Sequence, residues 1–122
     1  MPWDLDENLP IYLQLIDELQ KRIINGTYVP GSKLPPVREL AADAGVNPNT
    51  MQRALAQMES SGLIYTQRTS GRFLTDDREK IERLRREAAQ ALIRDFLRKM
   101  RELGIGRKEV CKLIQAQEED DT

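Results

Sequence analysis

Apolar residues recur at helical spacing along most of this 122-residue chain, broken once by a short alternating stretch. The first stripe is Tyr12, Leu15, Ile16, Leu19 and Ile23, which predicts a helix opened by Pro10, running to about Asn25 and ended by Gly26. The following TYVPGSKLPP reads as a loop, with Pro30-Gly31 in the central positions of a type II turn. A second stripe, Val37, Leu40, Ala41 and Ala44, predicts a short helix that Pro36 starts and Gly45 closes. A third, Met51, Ala54, Leu55 and Met58, belongs to a helix with signals at both ends. Asn47 suits the N-cap, Pro48 the first helical position, Val46 and Met51 a hydrophobic staple, and Gly62 the left-handed exit, with Leu63 packed behind it.

Only Gly45 and Val46 separate the second and third helices, and so tight a junction is a helix-turn-helix. The outward face of the third helix, Asn49, Arg53, Ala56 and Ser60 flanked by Gln52 and Gln57, is polar but carries little charge. Asn, Gln and Arg match base edges with paired hydrogen bonds, and a small central residue lets a helix enter a major groove. A solvated surface helix is the plainer reading of that face; the helix-turn-helix before it favours DNA. After Gly62, LIYTQ and RFLT alternate as two strands around a TSG turn, a β-hairpin or wing. Gly71 supplies backbone freedom at its tip, and Arg68 and Arg72 flank it within reach of phosphates.

Beyond the wing, Asp76 to Leu103 reads as one long helix. Ile81, Leu84, Ala88, Leu92, Phe96, Met100 and Leu103 form its stripe, widened by Ala89, Ile93 and Leu97. Glu79–Arg83, Glu82–Arg86 and Asp95–Lys99 line the polar side at i,i+4 spacing. Gly104 ends it, and Arg107 to Gln117 makes a last helix with Val110, Leu113 and Ile114 inward. EEDDT is expected to be a disordered acidic tail. Such a hairpin is too small to own a core, so its stripe must cover either the winged helix or another subunit. A second subunit is favoured, because a winged helix closes its own core and a long operator needs two reading heads. The expected architecture is mostly α with a small β-hairpin: a winged helix-turn-helix over residues 1–75, then a two-helix dimerisation region over 76–122.

Composition narrows the function. The net charge is −1, so a generally basic nucleic-acid coat is excluded and any DNA surface arises by local separation of charge. Residues 1–18 hold five acidic and no basic side chains, whereas 33–72 hold five basic and three acidic. There is no histidine and a single cysteine, Cys111, so an intrachain disulfide is impossible; Cys111 is expected to pack on its helix. The absence of a phosphate-binding glycine loop and of paired apolar carboxylates argues against an enzyme. No metal or cofactor is expected. MPWDLDE is acidic where a signal peptide is basic, and no run of 18 apolar residues occurs, so a cytoplasmic protein with no membrane partner is expected. Residues 1–9 read as an arm whose Trp3 and Leu5 pack on the domain.

The stretch from Pro10 to Leu74 resembles the N-terminal DNA-binding domain of GntR-family transcription regulators, through IINGTYVPGSKLP, VRELA, NPNTMQRAL and SGLIY. The short helical region after the wing, FLRKMRELGIGRKEVCKLI, resembles the YtrA-type branch. The resemblance implies a winged helix that binds a palindromic double-stranded operator as a homodimer, often repressing ABC-transporter operons. Arg38 then matches the DNA-contacting arginine of the second helix, Asn49, Gln52 and Arg53 the recognition positions, and Gly71 the wing glycine. Pro48 departs from branches with arginine after the cap, and Pro36 from those with a capping serine. Larger branches append a ligand-binding domain, for which this chain has no room, and no motif specifies a small-molecule effector.

The expected DNA-binding set is therefore Arg38, Asn47, Pro48, Asn49, Thr50, Gln52, Arg53, Arg68, Ser70, Gly71 and Arg72. The expected dimerisation set is Ile81, Leu84, Leu92, Phe96, Met100, Leu103, Val110, Leu113 and Ile114. The competing reading is a winged helix that binds protein and does not read DNA sequence.

Overall fold

The computed structural model describes residues 3–117, in which five helices and one hairpin follow the order α1 (Ile11–Ile24), α2 (Val37–Ala44), α3 (Pro48–Ser60), β1 (Ile64–Gln67), β2 (Gly71–Leu74), α4 (Arg78–Glu102) and α5 (Arg107–Ala116). Residues 1–2 of the arm and the expected tail at 118–122 lie outside the described residues. The apolar stripes of the first three helices converge. Leu15 and Leu19 of α1, Leu40 and Ala41 of α2, and Met51, Ala54, Leu55 and Met58 of α3 are buried in one core with Leu34, Leu63, Ile64 and Leu74. Fully burying each large aliphatic side chain here contributes about 1.5–3 kcal/mol.

The hairpin is antiparallel, with Ile64 opposite Leu74 and Gln67 opposite Gly71. Its alternation delivers Ile64 and Leu74 to the core, while Tyr65 and Phe73 stack across the strands with ring centroids 5.7 Å apart. The segment expected to be a plain loop ends as a partner of this hairpin. Leu34 N–H donates to the Arg72 carbonyl at 2.9 Å, and Leu74 N–H to that of Ser32 at 2.9 Å. The preceding type II turn is present, with Ser32 N–H donating to the Val29 carbonyl at 3.0 Å.

One small correction concerns the start of α2. Pro36 is the N-cap residue of α2 and not its first turn, its extended ψ of 155° placing it outside the helix. In the arm, Trp3 and Leu5 pack against the core as expected. Gln14 pins it, donating to the Asp6 carbonyl at 2.8 Å while its own side-chain oxygen accepts from Asp6 N–H at 2.7 Å. The Arg22 guanidinium lies 4.2 Å above the Trp3 ring and pairs with Glu18 at 3.0 Å, which is how an arginine is tolerated in this core.

The chain forms two compact units, and the division falls between Leu84 and Arg85, inside α4 and not before it. Asp77 caps α4, its carboxylate accepting from Lys80 N–H at 3.1 Å. Ile81 is buried in the core of the first unit and Leu84 packs beside it. Both were expected at a subunit interface; the structure uses them to anchor α4 to the winged helix of their own chain. In the second unit Val110 is 3% exposed, but Leu113 and Ile114 are 45% and 58% exposed and do not point inward. Leu92, Ile93, Phe96 and Leu103 are exposed too, and Met100 is half-buried. Cys111, expected to pack, is exposed. Asp95 pairs with Lys99 at 3.2 Å and with Arg98 at 2.7 Å, a solvated charge ladder. Among the described residues no helix is long and apolar enough to cross a membrane.

Candidate nucleic-acid interface

Local chemistry at both ends sets the recognition helix. Asn49 N–H donates to the Asn47 side chain at 2.7 Å, and Pro48 occupies the first helical position. A cap of this kind stabilises the helix by about 1 kcal/mol. At the far end Leu63 N–H donates to the Met58 carbonyl and Gly62 N–H to that of Glu59, the paired bonds of a Schellman exit. Gly62 takes φ 83°, which a side chain rarely tolerates. The helix therefore has a defined length and a fixed rotation about its axis.

That rotation leaves Asn47, Pro48, Asn49, Gln52, Arg53, Ala56, Gln57 and Ser60 exposed. Thr50 differs. It is half-buried and, with Asn47, lines a groove of about 520 Å³ under the N-terminal arm, beside Trp3 and Leu5. Arg53 is exposed but not free: its guanidinium lies 4.5 Å above the ring of Tyr12 on α1. Two of the three recognition candidates thus sit on different flanks, Arg53 towards α1 and Gln52 on the stripe that continues, seven residues on, to Glu59 beside the wing.

Glu59, the one acidic residue of α3, is a bracket. Thr66 Oγ1 donates to its Oε2 at 2.7 Å and Arg72 Nε to its Oε1 at 3.1 Å, so one carboxylate ties α3 to both strands. Arg72, expected beside the tip, is inside β2 and only 20% exposed at its side chain. Gly71 is likewise the first residue of β2, opposite Gln67, and the tip is residues 68–70. Arg68 is exposed there, Ser70 is half-buried, and Arg38 is exposed on α2.

The Thr66 hydroxyl is the largest influence on Glu59 and, helped by Arg72, holds its carboxyl below the ordinary 4.5 against partial burial. A depressed carboxyl stabilises the fold above its ordinary pKa and stops doing so as pH falls through the depressed value. The melting-temperature gap between wild type and Glu59→Gln should therefore close as pH is lowered from about 7 to about 3. A gap that stays constant would mean the bracket contributes nothing through its charge.

Sequence reasoning placed the helix and the wing but missed Tyr12, Glu59 and Lys33 as parts of this surface. Lys33 lies in the segment paired with β2, and its side chain crosses in front of Gly71. All three depend on chain crossings that local spacing does not encode. Among the described residues, no group of three or more metal-binding side chains occurs.

Comparison with known proteins agrees with this geometry. Residues 11–74 match the family model of bacterial regulatory proteins, gntR family. The chain is 37% identical over 106 residues to the HTH-type transcriptional regulator YhcF of Bacillus subtilis, covering 87% of this chain and 88% of that protein. It is 38% identical over 74 residues to the transcriptional repressor YtrA of the same organism, covering 61% of this chain and 57% of YtrA. A GntR family transcriptional regulator from Listeria monocytogenes superposes with a TM-score of 0.88 at 39% identity, over 93% of this chain and all of that one. With a helix-turn-helix, a wing and this match, the chain belongs to the GntR family, with YtrA among its relatives, and is a DNA-binding transcription regulator and not an enzyme.

Proposed function

We propose that the chain acts as a homodimer whose two winged helices read the two halves of a palindromic operator and repress by occupying it. The observation that carries this reading is the pairing of a capped, outward-facing α3 with an apolar face in the second unit that its own chain leaves open. Leu92, Phe96, Leu103, Leu113 and Ile114 are each exposed, a liability unless another surface covers them. A second copy of the same face is the simplest cover for a protein that must present two heads. In each head Arg38 contacts the phosphate backbone, Asn49, Gln52 and Arg53 face the major groove, and Arg68 at the wing tip reaches the flanking phosphates.

Selection of bound sequences from random duplexes tests the reading. A palindromic consensus is the expected result; no enriched sequence would mean that the surface docks protein instead. On the recovered operator, Gln52→Ala and Arg53→Ala should each flatten preference at a different base position, by about 1–3 kcal/mol per lost paired contact. Arg38→Ala should weaken binding evenly across sequences. If all three variants retained the wild-type consensus and affinity, α3 would not be the groove-reading element.

A further inference from the structure

We infer that Lys33 is the cation that binds a DNA backbone phosphate beside the wing, and that Arg72 serves the wing's architecture instead. The inference rests on the proposed docking of α3 in the groove, which brings the wing against the neighbouring backbone.

Three observations place Lys33 in this role. Its main chain is fixed, because hydrogen bonds on either side, from Leu34 N–H to Arg72 and from Leu74 N–H to Ser32, add it to the edge of β2. Its side chain is aimed. A Cβ built on Gly71 would lie 3.1 Å from Lys33 Cε and 3.8 Å from Nζ, so the lysine stem occupies the space that glycine leaves empty. The ammonium thereby reaches a notch of about 320 Å³ between the start of α2 and the wing, lined by Pro36, Val37, Thr66, Ser70 and Arg72.

Charge separates the two cations at that notch. Arg72 is matched by Glu59, and lending its guanidinium to a phosphate would leave that carboxylate beside a second negative charge. Lys33 is exposed, and among the described residues no carboxylate pairs with it. An ammonium offers three donors with no directional demand, which suits a phosphate whose position varies little with base sequence. Gly71 then has a reason beyond its φ of 107°: a side chain there would crowd the lysine stem and make it give by a few tenths of an ångström.

Salt titrations of the full chain test this, using both the operator recovered by selection and a random duplex. Each phosphate contact adds about 0.9 to the slope of log affinity against log salt. Lys33→Gln should make that slope shallower by about 0.9 on both duplexes, which shrinks the loss of affinity between about 50 and about 200 mM salt about 3.5-fold. Its consensus should be unchanged, and Lys33→Arg should restore the wild-type slope. The Glu59→Gln/Arg72→Gln double variant keeps the hydrogen bonds of the bracket without its charges, and its slope should stay that of wild type. An unchanged slope in Lys33→Gln, or a shallower slope in the double variant alone, would overturn the assignment. Failure of the docking reading looks different: wild type itself would then show no preference for the operator over the random duplex.

Discussion

Replacing Phe96 by glutamate should convert the proposed dimer to a monomer while leaving the winged helix folded. Phe96 is 43% exposed in the single chain, so the substitution asks little of its own fold. At an interface the same carboxylate would be buried without a partner, which costs several kcal/mol, about enough to dissociate a small symmetric contact. The loss should propagate to DNA. Two linked heads gain an effective concentration for the second binding step, so the monomer should bind the operator about 10²–10⁴-fold more weakly. Light scattering reads the mass, circular dichroism the fold, and a gel shift the affinity. A dimer that survives the substitution would place the interface elsewhere.

The spacing between half-sites should matter nearly as much. In the proposed dimer, two-fold symmetry should set the recognition helices into successive major grooves about 34–36 Å apart, with half-sites centred about 10 base pairs from one another. Inserting about 5 base pairs turns one half-site to the opposite face of the duplex. Affinity should then fall to that of a single head. A full-turn insertion restores the face but lengthens the span, and little recovery is expected because residues 75–77, directly after the wing, are tied to the winged helix. Thr75 N–H donates to the Leu63 carbonyl at 2.8 Å, Asp77 N–H to the Thr75 hydroxyl at 3.1 Å, and Ile81 is set in the core a turn later. Gel shifts across a spacer series at fixed salt decide it. Equal affinity at every spacing would mean independent heads.

This pinning revises the boundary that the sequence suggested. Residues 75–77 look like a linker by composition, since two acidic side chains precede a fresh helical stripe. The stripe, however, is one periodic pattern with two outcomes: Ile81 and Leu84 face their own core, and Leu92, Phe96 and Leu103 are exposed. Periodicity reports that a face is apolar and says nothing about what covers it. The same limit explains Leu113, Ile114 and Cys111, each placed on an apolar face of α5 and each exposed.

Where an element's chemistry is local, the sequence alone determined it. The cap at Asn47, the proline after it, the exits at Gly45 and Gly62 and the turn at Pro30-Gly31 each involve residues within six positions of one another, so the code for them is contiguous. The order of helices and hairpin follows from those signals and two periodicities. Tertiary structure decided the rest, because it alone brings distant side chains together. Arg53 lies over Tyr12 from 41 positions earlier, Glu59 holds Thr66 and Arg72, and Lys33 crosses Gly71. Whether a surface arginine is free to meet a phosphate or already holds a carboxylate depends on which chains cross beside it, and no spacing within one strand or helix encodes that crossing.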